Sequence, residues 1–403
     1  MLRLKIKQVY TNLIILLLGV SLYYYSYRYI FQYNSSDTSP TYSNTPMPFQ
    51  IGKYIICGAI IILYLLILRY KKKKLFNQHS LSMFIKLFLY TFLLFLYGII
   101  NINITSIQKA TIYFIPLILG FWGFVTIDLY KIEKFIYYFC IYSIIYEFIQ
   151  VILFILYGRL PALAYSQSFS VRFGGPWDDP NGFSIFISFL LPFTYYYCTN
   201  KKAKIFWIIA NILMILLAQS VTAIIADIMA FSIYYVVNSN NKITRQKKII
   251  KLFCLIPFII LIAHILINTS FIHTFIEMKQ GSVDGHMSSF EAFSQISIIQ
   301  FLFGFSHIAG ESDITNHIGQ WGIFFLLLFY TIYLKNIYKL YHLMKQQTTA
   351  LWKSSFIFQI AFLFASINLP VSAIFPISLT SCIIILISSF QQENKSKYNV
   401  ITK

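Results

Sequence analysis

Apolar and polar stretches alternate along nearly the whole chain. A helix needs about 20 mostly apolar residues, with roughly 17–25 tolerated, to cross the hydrocarbon core of a bilayer. Twelve segments approach that length, at about 9–29, 51–69, 81–100, 111–128, 135–157, 182–199, 205–219, 221–237, 251–268, 318–334, 354–369 and 371–390. The pattern therefore predicts an all-α fold, a polytopic integral membrane bundle of about 12 transmembrane helices that forms a single domain over residues 1–403.

The composition agrees with a membrane protein. The 403 residues are 58% hydrophobic and only 11% charged, whereas soluble domains average about 25% charged residues. These figures exclude an ordinary soluble globule and an intrinsically disordered chain. The first apolar segment follows Arg3, Lys5 and Lys7, but it is long and no small-residue cleavage site follows it. We therefore expect a retained signal anchor rather than a cleaved signal peptide.

The charge distribution predicts the orientation of the chain. The 32 Lys and Arg residues outnumber the 13 Asp and Glu residues, for a net charge of +19. The basic residues form short clusters between apolar segments, which is typical of cytoplasmic loops, and they follow neither one face nor a tail as in nucleic-acid-binding proteins. We therefore predict a multi-pass protein of the cytoplasmic (inner) membrane, with both termini cytoplasmic and no nucleic-acid partner.

This topology leaves three longer segments on the outer face, at 30–50, 158–181 and 269–317. The first is rich in Ser, Thr and Pro, as flexible surface linkers are, and we assign it no role. The other two carry most of the charged and titratable side chains of the outer face. Candidate chemistry is therefore expected there, beside short helices that lie at the membrane interface.

The second outer segment has the residues of an anion site. Arg159 and Arg172 precede a turn with Gly174 and Gly175, and Asn181 then stands at the start of the sixth span. Adjacent glycines let backbone N–H groups turn toward an anion, and the arginine fork makes paired charge-assisted bonds with phosphate. An alternative stays open, in which the Asp-Pro-Asn step only caps a helix and the arginines only contact lipid headgroups.

The third outer segment offers general acid–base chemistry. It contains His286, Glu291 and His317, and a histidine titrates near neutral pH and can be oriented by a carboxylate. The histidines lack the spacing of a metal site, so we predict no metal. Residues 286–303 are apolar on one side, which predicts an amphipathic helix at the outer interface. The alternative is that these histidines are solvated loop residues.

Glu147, Asp227 and His264 are titratable residues inside the fifth, eighth and ninth predicted spans. Such residues are costly in a membrane and normally face the bundle interior or a cavity. One interpretation is an interhelical hydrogen bond that stabilises packing. The other is a proton or ion relay, which would favour a transporter.

The motif around Arg172 resembles a known family. The run RFGG at 172–175, followed by DPNGF at 179–183, is similar to the arginine, glycine and Pro-Asn steps that precede a helix in the O-antigen polymerase (Wzy) and O-antigen ligase superfamily. That superfamily also has about twelve spans, with such a loop near the middle and a larger outer loop before the tenth span. Two weaker matches depart from it, because Val221 and His286 stand where the family has arginines.

The resemblance implies glycan transfer from a polyprenyl diphosphate carrier on the outer face. Arg172, with Arg159, would bind the diphosphate near Gly174, Gly175 and Asn181. A base in the third outer segment would take the proton of the acceptor hydroxyl: His286, with His317 or Glu291 behind it. The resemblance implies a metal-independent glycosyltransferase without a cofactor.

The acceptor separates the branches of this superfamily. The stretch ESDITNHIGQWG at 311–322 resembles the polymerase ending, which predicts polymerisation of lipid-linked repeat units into O-antigen, as part of lipopolysaccharide, or into capsular or extracellular polysaccharide. The alternatives are an O-antigen ligase that transfers glycan to lipid A core, a lipid-linked oligosaccharide flippase or transporter, or a membrane scaffold. The predicted partners are the polyprenyl-diphosphate-linked oligosaccharide and membrane lipid, with a chain-length regulator and a flippase of the same pathway as further candidates.

Overall fold

The structure is a computed structural model, and it describes most of the chain. The described residues are 2–23, 78–122, 128–158, 164–165, 171–177, 179–239, 243–252, 296–304, 312–347 and 349–401, with isolated positions at 51, 55, 58, 59, 62 and 291.

These residues are mostly helical. The helices with defined bounds are α1 (Leu2–Tyr23), α2 (Gln78–Ile100), α3 (Ile104–Trp122), α4 (Leu129–Tyr157), α5 (Pro180–Tyr197), α6 (Lys201–Ala218), α7 (Val221–Val237), α8 (Ile298–Phe303), α9 (Asp313–Asn316), α10 (Ile323–Gln346), α11 (Ala350–Ser366) and α12 (Phe375–Ile401). A π-turn spans His317–Trp321, and residues 243–252 are also helical. Two short strands, β1 (Ala164–Tyr165) and β2 (Val171–Arg172), pair antiparallel.

The mostly helical fold confirms the all-α prediction. Every predicted span except 51–69 and 251–268 overlaps one of these helices, and those two lie mostly outside the described residues. By length and composition, α4 and α10 are the helices of the described part that are long and apolar enough to cross a membrane. A bundle of twelve spans stays a prediction.

Two predicted helix boundaries differ from the structure. The predicted amphipathic helix over 286–303 is not continuous, because residues 296 and 297 are not helical and Ser297 caps a new helix, α8, by a capping box with Gln300. The tenth helix begins at Ile323 instead of about 318, because the preceding residues form the π-turn. Of the predicted helix over 286–303, residues 286–290 and 292–295 lie outside the described residues.

Helix α5 lies at the centre of the bundle. Its side chains are buried around most of its circumference, and it contacts α6, α7 and α11. Helix α11 is buried in the same way and also contacts α7 and α10. A helix that is hydrophobic on all sides is one that other helices surround, so the apolar sequences of α5 and α11 account for their central position.

The helix ends gather on two sides of the bundle, and hydrogen bonds link the ends on each side. Arg172 bonds to the end of α6 at Ala218, while Asn368 after α11 bonds to Thr222 at the start of α7. We call this side the first end; it comprises residues 101–109, 171–177, 179–182, 218–222, 312–322 and 366–375.

The opposite side is the second end. Here the Leu351 amide donates to Glu133 near the start of α4, and the Lys345 ammonium donates to the Ser239 carbonyl after α7. The second end comprises residues 128–133, 197–204, 235–239, 243–248, 336–347 and 349–352. In the predicted topology the first end is the outer one and the second end is cytoplasmic.

Candidate functional site

The side chain of Arg172 is held in one orientation at the first end. Its Nε donates to the Ala218 carbonyl (3.0 Å) and its Nη2 donates to Oδ1 of Asn181 (2.6 Å). The neighbouring backbone is also attached to the end of α6, because the Gln219 side chain donates to the Val171 carbonyl (3.1 Å). Arg172 therefore joins β2 to the ends of α5 and α6.

Asn181 connects this arginine to the helix cap. Its backbone N–H donates to Oδ1 of Asp179 (3.0 Å), which caps α5. Pro180 occupies the first turn, where a backbone N–H would have no acceptor within the helix, so the lack of one in proline costs nothing. The side-chain oxygen of Asn181 accepts from Arg172. The two interpretations of this sequence, a cap and an arginine site, thus describe parts of one network. We call Arg172, Gly174, Gly175, Asp179 and Asn181 the Arg172 cluster.

Close packing explains the two glycines. Gly175 has φ +57°, and a Cβ there would lie 2.5 Å from the ring of Phe183; a Cβ on Gly174 would lie 2.5 Å from the carbonyl oxygen of Trp177. The Gly175 carbonyl accepts a hydrogen bond from the Gln150 side chain (3.0 Å). The turn therefore requires glycine for steric reasons, and its contribution to anion binding stays a prediction.

Lys109 and Asp313 form an ion pair at the same end of the bundle. Lys109 Nζ lies 3.9 Å from Oδ1 of Asp313, and both side chains are at most 3% exposed. Asp313 also accepts from the backbone and the hydroxyl of Ser372, while Lys109 Nζ lies 4.3 Å from the centroid of the Trp321 ring. The carboxylate and the ammonium are therefore both satisfied inside the protein.

His317 completes this second network. Its Nδ1 lies 2.6 Å from the backbone carbonyl of Asp313, so Nδ1 carries the proton and donates, because a carbonyl only accepts. Its Nε2 then accepts from the Tyr90 hydroxyl (2.8 Å) and lies 3.5 Å from Lys109 Nζ. The imidazole is 0% exposed. We call Lys109, Asp313, His317, Tyr90 and Ser372 the Lys109 cluster.

Burial determines the ionisation of Asp313 and His317, the two members of the Lys109 cluster that come from the third outer segment. Burial raises the pKa of Asp313 to about 6, although the Lys109 ammonium and the bonds from Ser372 act in the opposite direction. Burial also lowers the pKa of His317 well below its usual value, and the positive charge of Lys109 lowers it further. At neutral pH Asp313 is therefore ionised and His317 is neutral.

Local sequence signals place the residues of this segment. Ser312 and Thr315 form a capping box that starts α9, and Asp313 follows the cap directly. The π-turn then brings His317 and Trp321 to the interior. The Trp321 indole N–H donates to the Ser106 hydroxyl (2.7 Å), which attaches the segment to α3.

The loop between α11 and α12 lies between the two clusters. The Leu369 carbonyl accepts from the Asp313 backbone N–H (3.2 Å), and Asn368 donates to Thr222 (2.8 Å). The side chain of Ile374 on this loop lies 3.2 Å from where a Cβ on Gly182 would stand. The Arg172 and Lys109 clusters therefore share one end of the bundle and one connecting loop.

The structure places only some of the residues that the sequence singles out. Arg172, Gly174, Gly175 and Asn181 are brought together, and His317 lies in the other cluster. Glu291 is an exposed helical position. Arg159 and His286 lie outside the described residues.

Sequence reasoning missed the role of Lys109. This lysine is not among the candidate site residues predicted from the sequence, yet it pairs with Asp313 more than two hundred residues later in the chain. A signal was present, because this lysine stands alone in the apolar run before the fourth predicted span. The pairing itself had no local signature.

The acids inside predicted spans show no such pairing. Glu147 and Asp227 are buried, and their carboxylate oxygens have no hydrogen-bond partner among the residues that the structure describes. The interhelical bond that one interpretation expected is thus not seen for either residue in that part of the chain. His264 lies outside it.

A metal site or a known relative would be a further guide to the chemistry of the first end. Over the described ranges no group of three His, Cys, Asp or Glu side chains is arranged to hold a metal ion. No protein-family model matches the chain, and no curated protein matches it. The chemistry of the first end is therefore argued from its own residues.

Proposed function

We propose that this chain is a membrane glycosyltransferase that polymerises polyprenyl-diphosphate-linked oligosaccharide repeat units on the outer face of the cytoplasmic membrane. The product is an O-antigen or a capsular or extracellular polysaccharide, and the reaction needs no metal. The observation that carries the proposal is the oriented guanidinium of Arg172 at the first turn of α5.

Arg172 is suited to bind a diphosphate. A guanidinium makes paired, charge-assisted bonds with phosphate oxygens, and the N-terminus of α5 adds partial positive charge. Asp179 already accepts from one amide of that turn, so the arginine supplies most of the attraction. Because Ala218 and Asn181 orient the side chain beforehand, little conformational entropy is lost when an anion binds. Arg159 is the proposed second cation.

The proposed reaction is a displacement at the anomeric carbon of the donor sugar. An acceptor hydroxyl attacks that carbon, the bond to the diphosphate oxygen breaks, and polyprenyl diphosphate leaves with the electron pair. Arg172 stabilises the charge that develops on the leaving oxygen. The hydroxyl proton passes to a base, for which His286 and Glu291 are the candidates. The buried ring of His317 instead holds the 312–322 segment against α2 and α3.

The membrane placement follows the charge pattern. Helices α4 and α10 have the length and composition of membrane spans, and the basic loops favour a cytoplasmic second end. This orientation puts Arg172 on the outer face, where lipid-linked repeat units would be joined. Both termini are then cytoplasmic.

Transport of a lipid-linked glycan is the second candidate, and one observation favours it. Buried ionisable groups in membrane proteins often mark ion or proton pathways, and the Lys109–Asp313 pair and the buried Glu147 carboxylate are groups of this kind. A transporter that couples to protons would use Lys109 and Asp313 and would not need Arg172 to touch a leaving group.

The test compares surface and lipid-linked glycans in cells that lack this protein and are complemented with variants. Wild type is expected to restore a ladder of polymer. Arg172→Ala is expected to reduce polymer by at least about 100-fold, as loss of a transition-state donor does, and Arg172→Lys to restore only part of it. Lys201→Ala, which removes an exposed charge at the second end, is the matched control and should behave as wild type.

Each other outcome has a distinct meaning when a tag confirms equal expression. Long polymer that stays on the carrier would favour the ligase. Loss of all outward-facing intermediates would favour transport. Full restoration of the ladder by Arg172→Ala would overturn the role of Arg172.

A further inference from the structure

An apolar groove runs along the side of the bundle. Helices α7, α10 and α11 form its walls, and its volume is about 660 Å³. The lining is aliphatic and aromatic, with Ile233 on α7, Leu334 on α10 and Leu363 on α11 as examples. Among the described residues that line the groove, Arg245 is the formally charged one.

The groove is long enough to hold one lipid acyl chain. From Phe356 to Ile367 the groove follows about 16 Å of helix, which is about half of the ~30 Å hydrocarbon core. Ile367 lies at the first end, and Arg245 lies at the second end. The groove therefore runs between the two ends, and an acyl chain whose headgroup lies at Arg245 would extend along it toward the first end.

Positive charge is concentrated where the groove meets the second end. The charges of Arg245 and Lys248 both act on the Lys345 ammonium. Lys345 donates to the Ser239 carbonyl (3.1 Å), and Lys248 donates to the Tyr235 carbonyl (2.7 Å), so both ammonium groups are held at the end of α7, where Val237 lines the groove. Three like charges held close together repel each other, and an anion among them would remove that repulsion.

We propose that this groove binds an acyl chain of an anionic phospholipid, whose phosphate lies on Arg245, Lys248 and Lys345. The cations are at the second end, so they select a lipid of the leaflet at that end. A polyprenyl diphosphate on Arg172 would have its charge at the opposite end. The proposal depends on membrane placement and not on glycan transfer, so either can fail without the other.

The test uses the purified full-length chain in detergent, with phosphatidylglycerol and phosphatidylcholine of identical acyl chains as probes. Native mass spectrometry measures how much of each lipid stays bound. We expect phosphatidylglycerol to be retained in preference to phosphatidylcholine. The double variant Arg245→Gln, Lys345→Gln is expected to bind phosphatidylglycerol about 30-fold more weakly, at about 1 kcal/mol for each basic residue near a lipid surface.

Two further variants make the result specific. Lys201→Gln with Lys202→Gln removes the same amount of charge from exposed positions at the second end and should leave binding unchanged. Leu363→Trp fills the groove and should weaken phosphatidylglycerol binding while the charges remain. Unchanged elution from a sizing column confirms that each variant is folded.

Three results would overturn the proposal. Equal retention of both lipids would show that the three cations do not select the headgroup. Equal loss of binding in the Lys201 and Lys202 variant would show that only net charge matters. Unchanged binding to Leu363→Trp would place the lipid outside this groove.

Discussion

The cost of burying the charge of Lys109 or of Asp313 depends on the presence of the other residue. Both groups are withdrawn from water, and each makes the burial of the other tolerable. Removal of one member leaves an uncompensated charge in the interior. The energetic role of this pair is therefore visible only when one side chain is changed at a time.

We predict that Lys109→Met lowers the free energy of unfolding by about 3–5 kcal/mol, the usual cost of breaking a buried pair. The double variant Lys109→Met, Asp313→Asn should recover part of that loss, since no charge is then stranded. Denaturant or thermal unfolding in detergent measures both. A double variant no more stable than Lys109→Met would contradict a direct interaction.

The pKa of Asp313 predicts a pH dependence with a defined sign. Because burial raises this pKa to about 6, the folded state binds a proton more readily than the unfolded state between about pH 4 and pH 6. Wild type should therefore gain stability relative to Asp313→Asn as the pH falls through that window, by up to about 3 kcal/mol for a shift of about two units. Above about pH 6.5 the difference in the free energy of unfolding between wild type and Asp313→Asn should be constant.

Melting temperatures of both proteins in detergent, from pH 4 to pH 8, check this prediction. The comparison with Asp313→Asn cancels the titration of other groups that the two proteins share. A difference that changes with pH in the opposite direction would mean that Asp313 is more strongly stabilised as an anion than its burial indicates.

At the scale of elements, the turn before α5 decides where Arg172 stands. Gly175 and Gly158 both have positive φ, +57° and +73°. Among the residues that the structure describes, the side chain of Phe183 stands where a Cβ on Gly175 would go, and no side chain stands there for Gly158. We predict that Gly175→Ala destabilises the protein by about 1–3 kcal/mol through overpacking against Phe183, a cost that the described surroundings of Gly158 do not impose on Gly158→Ala. Unfolding in detergent compares the two.

The same pair of variants connects this turn to the proposed activity. Gly175→Ala is expected to displace Arg172 and reduce polymer formation in the complementation assay, whereas Gly158→Ala should keep it near the wild-type level. Equal activity of the two variants would show that the position of Arg172 does not depend on the Gly174–Gly175 turn.

At the scale of the whole molecule, the first end and the second end should face opposite sides of the membrane. Asn101→Cys and Lys202→Cys introduce thiols at exposed positions on the first and second ends, respectively. In cells with an intact cytoplasmic membrane, a membrane-impermeant maleimide should label Asn101→Cys and not Lys202→Cys, relative to the parent chain. The reverse pattern would invert the topology and move Arg172 to the cytoplasm.

Much of this organisation could be predicted because it depends on local chemistry. Apolar length predicted most helices, and the caps at Asp179 and Ser220 mark where α5 and α7 begin. The motif around Arg172 could also be found, since its arginine, glycines and helix cap are neighbours in sequence. The break at Ser297 was missed, although its capping box with Gln300 is a local signal.

The sequence by itself determined that the chain is helical, apolar and asymmetrically charged, since these properties depend on which residues are near each other along the chain. The tertiary structure alone decided that Lys109 lies against Asp313, and that His317, a candidate base by its residue type, is buried and neutral. Those outcomes depend on contacts between distant segments. Burial and a neighbouring charge change what a titratable group can do, and neither is encoded in the group's own place in the sequence.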